Sequence, residues 1–127
     1  SAVVTDVVPY GGRVVRSGLN LLSGPGNDIV STTALAAAGC HLILFTTGRG
    51  TPLGAPVPTL KISSNTDLAV RKPNWIDFDA GRMLVDDPAT VTADLLSLVV
   101  STASGAPARN ELNGYAEISL FKDGVIL

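Results

Sequence analysis

The sequence has little of what several classes of protein require. It contains one cysteine and one histidine in 127 residues. A single thiol excludes an internal disulfide, and one histidine with one cysteine is too few for the usual zinc sites. Cys40 and His41 are also adjacent, so on a strand they would face opposite ways and could not act together as nucleophile and base. These shortages argue against a disulfide scaffold, a zinc enzyme and a cysteine hydrolase.

Charge and long apolar runs are also scarce. Nine basic and eleven acidic residues give a formal net charge of -2, with no basic run. The chain therefore lacks the basic footprint of proteins that bind nucleic acid or anionic membranes. No apolar stretch approaches the ~20 residues that cross a bilayer, and the start of the chain shows no targeting signal. We expect a cytoplasmic protein without a nucleic-acid or membrane partner.

Aromatic residues make up only 5% of the chain, against 46% hydrophobic residues in all. Val, Leu, Ile and Ala must therefore fill the core, which is typical of buried parallel strands covered by helices. No repeat, low-complexity tract or long linker divides the chain, and its length suits one domain. We expect residues 1–127 to form a single α/β domain, with a three-layer, Rossmann-like, mostly parallel sheet and flanking helices.

Local patterns place the elements of this domain. Apolar and β-branched runs predict strands at residues 3–8, 19–22, 41–45, 57–62, 75–78 and 116–121. Helical spacing and capping residues predict helices at residues 29–38, 68–72 and 88–102. Gly39 is expected to end the first helix, and Pro58 limits its strand to an edge or to the strand's first residues.

The loop 46–51 follows a predicted buried strand, at the edge of a parallel sheet where ligands bind. Its two glycines allow close backbone approach, and its hydroxyls come from Thr46, Thr47 and Thr51. Arg49 offers a planar fork that suits a carboxylate or a phosphate. The spacing is neither that of a P-loop nor that of a dinucleotide fingerprint. From spacing alone, a small-anion site and a sharp turn with a solvated arginine are about equally favoured.

Two further segments offer polar groups near predicted element ends. Asn27 and Asp28 precede a helix, where they could bind a carboxylate or only cap the helix, and capping is the commoner role. Asn65 and Asp77 lie near strand ends. A buried Asp77 needs a partner, and a metal ion, a substrate hydroxyl and a backbone hydrogen bond all stay open. The residues by themselves show no recognisable set of catalytic acids and bases.

Several strings of residues resemble, in the same order, the C-terminal region of altronate and galactarate dehydratases. They are GND at 26–28, STTALAAAGC at 31–40, LFTTGRGTP at 44–52, VPTLKI at 57–62, Asn65, WIDFDAG at 75–81 and FKDGV at 121–125. The match covers nearly the whole chain, and many strings in register are more specific than any single glycine motif. The resemblance implies the C-terminal domain of a longer enzyme, with an N-terminal β-domain and a large middle region upstream.

The same resemblance implies a hydro-lyase that removes water from altronate or galactarate to give a 2-keto-3-deoxy acid. A divalent metal, expected to be iron(II), would stabilise charge on the substrate carboxylate while a base removes the neighbouring proton. The catalytic acid and base are expected upstream of this chain, and no metal ligand is assigned within it. The isolated chain is therefore expected to be inactive.

The resemblance also directs the choice of site residues. Residues predicted to bind substrate are Asn27, Asp28, Thr46, Thr47, Arg49, Thr51, Asn65 and Asp77. They would form one wall of a sugar-acid site at the interface with the upstream domains, and a homo-oligomer stays open. Three alternatives remain: elimination of the sulfolactate sulfo-lyase type, a stand-alone sugar-acid-binding module, and an assembly domain whose loops brace a dimer.

Overall fold

The structure, a computed structural model, describes residues 2–119. One parallel sheet contains β1 (Val4–Val8) and β2 (Leu19–Leu22), and the other is ordered β3 (Ile43–Thr47), β4 (Thr59–Ser63), β5 (Phe78–Asp79). The helices of this part of the chain are α1 (Asp28–Ala38), α2 (Thr66–Arg71), α3 (Pro88–Ala103) and α4 (Arg109–Leu112), with a 3-10 helix at Ala80–Leu84. No helix in residues 2–119 is long and apolar enough to span a membrane.

The predicted α/β class, with parallel strands and flanking helices, is confirmed. The strands are shared between two sheets, because backbone hydrogen bonds join β1 to β2 and β4 to both β3 and β5. Within residues 2–119 no ladder joins the two groups. The single Rossmann-like sheet that the pattern predicts is therefore divided.

α1 begins and ends where its sequence indicates. The Asn27 side chain accepts a hydrogen bond from the Val30 N–H at 3.3 Å and so caps the helix. Gly39 has a φ of 108°, a left-handed conformation that favours glycine. The following N–H, of Cys40, donates to the carbonyl of Leu35, which satisfies the helix end. The helix predicted at residues 29–38 is confirmed.

β4 is the centre of the three-stranded sheet, and all five of its residues are buried. Ile62 of β4 packs with Phe78 of β5 and Val91 of α3. Leu95 and Leu98 of α3 lie partly buried against this cluster. The predicted apolar face of α3 is thus the face that covers the sheet, and its burial contributes about 1.5–3 kcal/mol for each fully buried large side chain.

Several predicted strand bounds are wrong. β3 and β4 each begin two residues later than predicted, and β4 begins after Pro58, so the missing N–H of that proline does not interrupt the ladder. The strand predicted at residues 75–78 is only the two-residue β5. Residues 116–119 form no strand. Residues 120 and 121, which complete that prediction, and the turn predicted at residues 122–124 lie outside the described residues.

Separate backbone and side-chain hydrogen bonds take the place of the predicted C-terminal strand. Glu117 donates its N–H to the Gly54 carbonyl and accepts the Gly54 N–H on its carboxylate, both at 2.8 Å. Asn110 of α4 accepts the Thr59 N–H at 2.9 Å and donates to the Tyr115 carbonyl at 3.1 Å. The sequence does not predict α4, because four residues are too few to show a helical period.

Gly81 leaves no room for a side chain. A Cβ at this position would lie 2.5 Å from the backbone nitrogen of Thr66 and 2.8 Å from Cα of Asn65. We expect Gly81→Ala to lower the free energy of unfolding by about 1–3 kcal/mol, because backbone atoms between β4 and α2 would have to shift. Urea unfolding measures the change. Gly26→Ala is the control, since nothing lies within 4 Å of its added Cβ. Equal stability of the two variants would contradict this packing.

Candidate functional site

The carboxyl ends of β3, β4 and β5 meet at one edge of the sheet. The register places Thr47 beside Ser63 and Ser63 beside Asp79. The loop 46–51 leaves β3 at this edge, and Asn65 follows β4 there. We call this set of residues the carboxyl edge. It is the part of an open parallel sheet at which ligands bind.

Asn65 joins the loop 46–51 to α2. Its side-chain oxygen accepts the Leu68 N–H at 2.9 Å, which caps α2. Its amide donates to the Gly48 carbonyl at 3.1 Å. One side chain therefore fixes the loop after β3 against the helix after β4. A contact between Asn65 and substrate stays a prediction.

The side chains of the loop 46–51 fall into two groups. Thr47 accepts the Gly50 N–H on its hydroxyl at 2.9 Å, which closes the turn around Arg49. Thr51 accepts the N–H of Leu53 at 3.4 Å. Thr46 and Arg49 are exposed, and their side chains make no hydrogen bond or ion pair within residues 2–119. The guanidinium is thus presented to solvent on a turn that its neighbours shape.

Lys61 lies beneath this loop, in the middle of β4. It is 1% exposed, its Nζ donates to the Thr51 carbonyl at 2.7 Å, and it sits 5.8 Å from the centre of the Tyr115 ring. Burial lowers the pKa of Lys61, while the nearby charges of Asp77 and Glu117 raise it. Sequence reasoning missed Lys61, because a lysine in a strand pattern ordinarily faces water.

Asp77 immediately precedes β5 and so lies at the amino end of that strand, whereas the carboxyl edge is at the other end. Its two carboxylate oxygens accept the N–H groups of Lys61 at 2.7 Å and Arg109 at 2.8 Å. Of the partners left open by the sequence, the described structure shows backbone. Burial raises the pKa of Asp77, while the two backbone hydrogen bonds lower it. Asp77 thus fixes the backbone of β4 and of α4, and substrate binding by Asp77 stays a prediction.

Asn27 and Asp28 lie at the start of α1. Asn27 caps the helix, and Asp28 is exposed in the first turn. Within the described residues, no hydrogen bond or ion pair joins either side chain to the loop 46–51. The capping role is therefore shown for Asn27, and substrate binding by both residues stays a prediction.

Asp79 and Ser63 are polar residues of the carboxyl edge that were not among the predicted site residues. Asp79 accepts the Gly81 N–H at 2.9 Å and the Ser63 hydroxyl at 3.4 Å. The rule that favours polar residues at strand ends selects Asp79 once β5 is known to end there. Placing the strand at residues 75–78 directed attention to Asp77 instead.

The rest of the carboxyl edge is open and offers no metal cluster. Within residues 2–119, no group of three or more His, Cys, Asp or Glu side chains could hold a metal ion. A shallow depression beside Asn65 is bordered by Gly81, Leu84 and Val85. Leu84 and Val85 are 88% and 84% exposed. The edge can therefore bind through hydrogen bonds, one guanidinium and an apolar rim.

Comparison with known proteins identifies the family of this chain. A family model described as D-galactarate/altronate dehydratase, C-terminal, matches residues 1–126. The chain belongs to this family. It is 50% identical over 128 residues to altronate dehydratase of Escherichia coli (strain K12), a match that covers 100% of this chain and 26% of that protein.

Two other dehydratases are similar to this family member. Altronate dehydratase of Bacillus subtilis (strain 168) is 48% identical over 126 residues, which are 98% of this chain and 25% of that protein. Galactarate dehydratase (L-threo-forming) of Escherichia coli (strain K12) is 33% identical over 107 residues, 82% of this chain and 20% of that protein. The chain thus spans about a quarter of the length of the altronate dehydratases it matches.

Asp77→Asn is expected to destabilise this dehydratase-family domain. An asparagine side chain has a single oxygen, so the N–H of either Lys61 or Arg109 would lose its acceptor. We expect a loss of about 1–3 kcal/mol in the free energy of unfolding, because one hydrogen bond to a carboxylate is lost and the other becomes a bond to a neutral amide. Urea unfolding measures it, with Asp67→Asn, an exposed carboxylate of α2, as the control. The same loss in both variants would contradict the bracing role.

The raised pKa of Asp77 also predicts a pH dependence of stability. Because its folded pKa lies above 3.8, the folded state holds this proton more tightly than the unfolded chain. The resulting stabilisation is fully present below pH 3.8 and is lost as pH rises through the raised pKa. We expect the stability of Asp77→Asn to lack this decline. Urea unfolding of both proteins at a series of pH values checks it, and parallel curves would show that Asp77 does not titrate this way.

Proposed function

We propose that this chain is the C-terminal domain of a longer sugar-acid dehydratase, with its carboxyl edge forming one wall of the substrate site. The substrate would be altronate or galactarate, which loses water to give a 2-keto-3-deoxy acid. The relatives' names support these two acids over a sulfonated one. One observation supports the site proposal above all: the exposed guanidinium of Arg49 has no hydrogen-bond or ion-pair partner within residues 2–119.

The loop that presents Arg49 is held at three points. Asn65 binds the Gly48 carbonyl, Thr47 binds the Gly50 N–H, and Lys61 binds the Thr51 carbonyl. A loop held in this way loses little conformational entropy when a ligand arrives. Such preorganisation suits a binding site better than it suits a solvated surface turn. It supports assigning the loop 46–51 to substrate recognition.

The chemistry of the elimination explains why an arginine would be useful here. A base removes the proton from the carbon next to the substrate carboxylate, and negative charge moves onto the carboxylate oxygens. Hydrogen bonds from a planar guanidinium to these oxygens strengthen as that charge develops. The hydroxyl on the next carbon leaves with a proton as water, and the resulting enol becomes the keto acid. We place the acid and the base for these steps in the upstream part.

The remaining predicted residues take different roles in this proposal. Thr46, exposed on the same loop as Arg49, would bind substrate hydroxyls, whereas Thr47, Thr51 and Asn65 shape the loop. Asp77, just before β5, fixes the backbone of β4 through the Lys61 N–H. Substrate binding by Asn27 and Asp28 would require the upstream part to place the sugar acid at the start of α1.

The proposal assigns the metal and the partners as follows. The iron(II) implied by the family resemblance is not fitted by the described residues, which bring no three potential ligands together. We therefore place any metal in the upstream part. The partners are a small sugar acid and the upstream domains of the same enzyme, without nucleic acid. A cytoplasmic location suits the single, unpaired Cys40.

Arg49→Ala in the longer polypeptide is expected to lower kcat/KM by about 100-fold or more, which corresponds to about 3 kcal/mol of lost transition-state stabilisation. The measurement is anaerobic formation of 2-keto-3-deoxy acid from altronate and galactarate, with iron(II) present. Arg71→Ala is the matched control, because Arg71 is an exposed arginine on α2. We expect the control to leave kcat/KM unchanged.

The other outcomes of this assay are equally informative. Full activity of Arg49→Ala would return Arg49 to a solvated turn residue. Turnover by the 127-residue chain alone would contradict an upstream location of the acid and base. Ligand binding by this chain without turnover in any longer polypeptide would favour a sugar-acid-binding module. Turnover of sulfolactate in place of the sugar acids would favour the sulfo-lyase alternative.

A further inference from the structure

The two-stranded sheet carries an exposed apolar face. Its register places Val4 beside Leu19 and Val7 beside Leu21, so these four side chains share one side of the sheet. Thr5 is the extra residue of a bulge, which brings Val4 and Val7 to the same side although they are three positions apart. The four residues are 44%, 46%, 65% and 49% exposed, in the order Val4, Leu19, Val7, Leu21. We call them the outer face.

The opposite face of this sheet is the more polar one, yet it is the better covered. Asp6 pairs with Asn20 there, and Val8 pairs with Leu22. None of these four residues is as exposed as the outer face, and Val8 is 5% exposed. A sheet with one solvated side ordinarily turns its polar side chains to water. The reversal indicates that the outer face is a contact surface.

We infer that the outer face docks against the upstream part of the longer dehydratase polypeptide, an inference that rests on the proposed function. The matching region makes up 26% and 25% of the two altronate dehydratases, so about three quarters of such a polypeptide lies outside it. The family model describes a C-terminal region, which places that remainder before β1. β1, which carries Val4 and Val7 of the outer face, is therefore the element that follows the upstream residues in sequence.

The chemistry of the outer face agrees with this occupant. It carries no charged side chain, so it suits an apolar protein surface and not a nucleic acid or an anionic ligand. A sheet of two strands is marginally stable in water by itself, whereas added strands or a packed helix stabilise it. Contact with the upstream part supplies that cover.

Cysteine labelling of the outer face tests the inference. Val7→Cys is made in a Cys40→Ser background, in the 127-residue chain and in the longer polypeptide, and its reaction with a maleimide is followed by mass spectrometry. Docking predicts labelling at least ~10-fold slower in the longer polypeptide, because a covered thiol reacts only when it is exposed. Leu21→Cys on the neighbouring strand should behave in the same way. Ser97→Cys, exposed on α3, is the control and should label equally in both.

Each alternative occupant gives a different result. Equal labelling of Val7→Cys in both proteins would overturn the inference. Slow labelling in the 127-residue chain would also overturn the inference, because the outer face would then be covered without the upstream part. Light scattering would show whether a second copy covers it, if the chain is a dimer, or the chain's own residues, if it is a monomer. Protection without dehydratase turnover would retain the docking and contradict the proposed function. Turnover without protection would retain the proposed function and contradict the docking.

Discussion

The buried backbone of β4 is the constraint on which the rest of the described structure depends. Within residues 2–119, β5 pairs only with the last two residues of β4, so the N–H groups of Thr59 and Lys61 face a side of β4 that has no neighbouring strand in this part of the chain. Asn110 accepts the first and Asp77 accepts the second. Each bond removes the cost of a buried, unsatisfied donor. Two side chains distant in sequence thus complete a sheet that the short β5 leaves open.

The candidate site is built outward from this strand. Lys61, fixed in the middle of β4, reaches the Thr51 carbonyl, and Asn65 at the strand's end reaches the Gly48 carbonyl. The loop that presents Arg49 is therefore positioned by the same element that anchors the core. A buried ammonium is costly unless it is hydrogen-bonded, so the contact with Thr51 serves the lysine as well as the loop.

The candidate substrate site and the proposed docking face are separate surfaces. The carboxyl edge presents Arg49 and an apolar rim at Leu84 and Val85, while the β1–β2 sheet presents four apolar side chains. Both surfaces expose large apolar side chains. The altronate dehydratases of this family are about four times as long as the chain, and in the longer polypeptide that we propose, upstream residues would cover both surfaces.

The sequence by itself determined whatever depends on neighbouring residues: the Asn27 cap, the Gly39 end of α1, the apolar face of α3, the family motifs and the loop after β3. Caps, turns and periodic faces are local, so a short stretch of residues specifies them. Only the tertiary structure decided the two-sheet division, the burial of Lys61, and the backbone partners of Asp77 and Asn110. The partners of Asp77 and Asn110 depend on which residues of β4 lack a neighbouring strand. The pairing of β4 with β5 involves residues distant in sequence, so no local sequence pattern predicts where it stops.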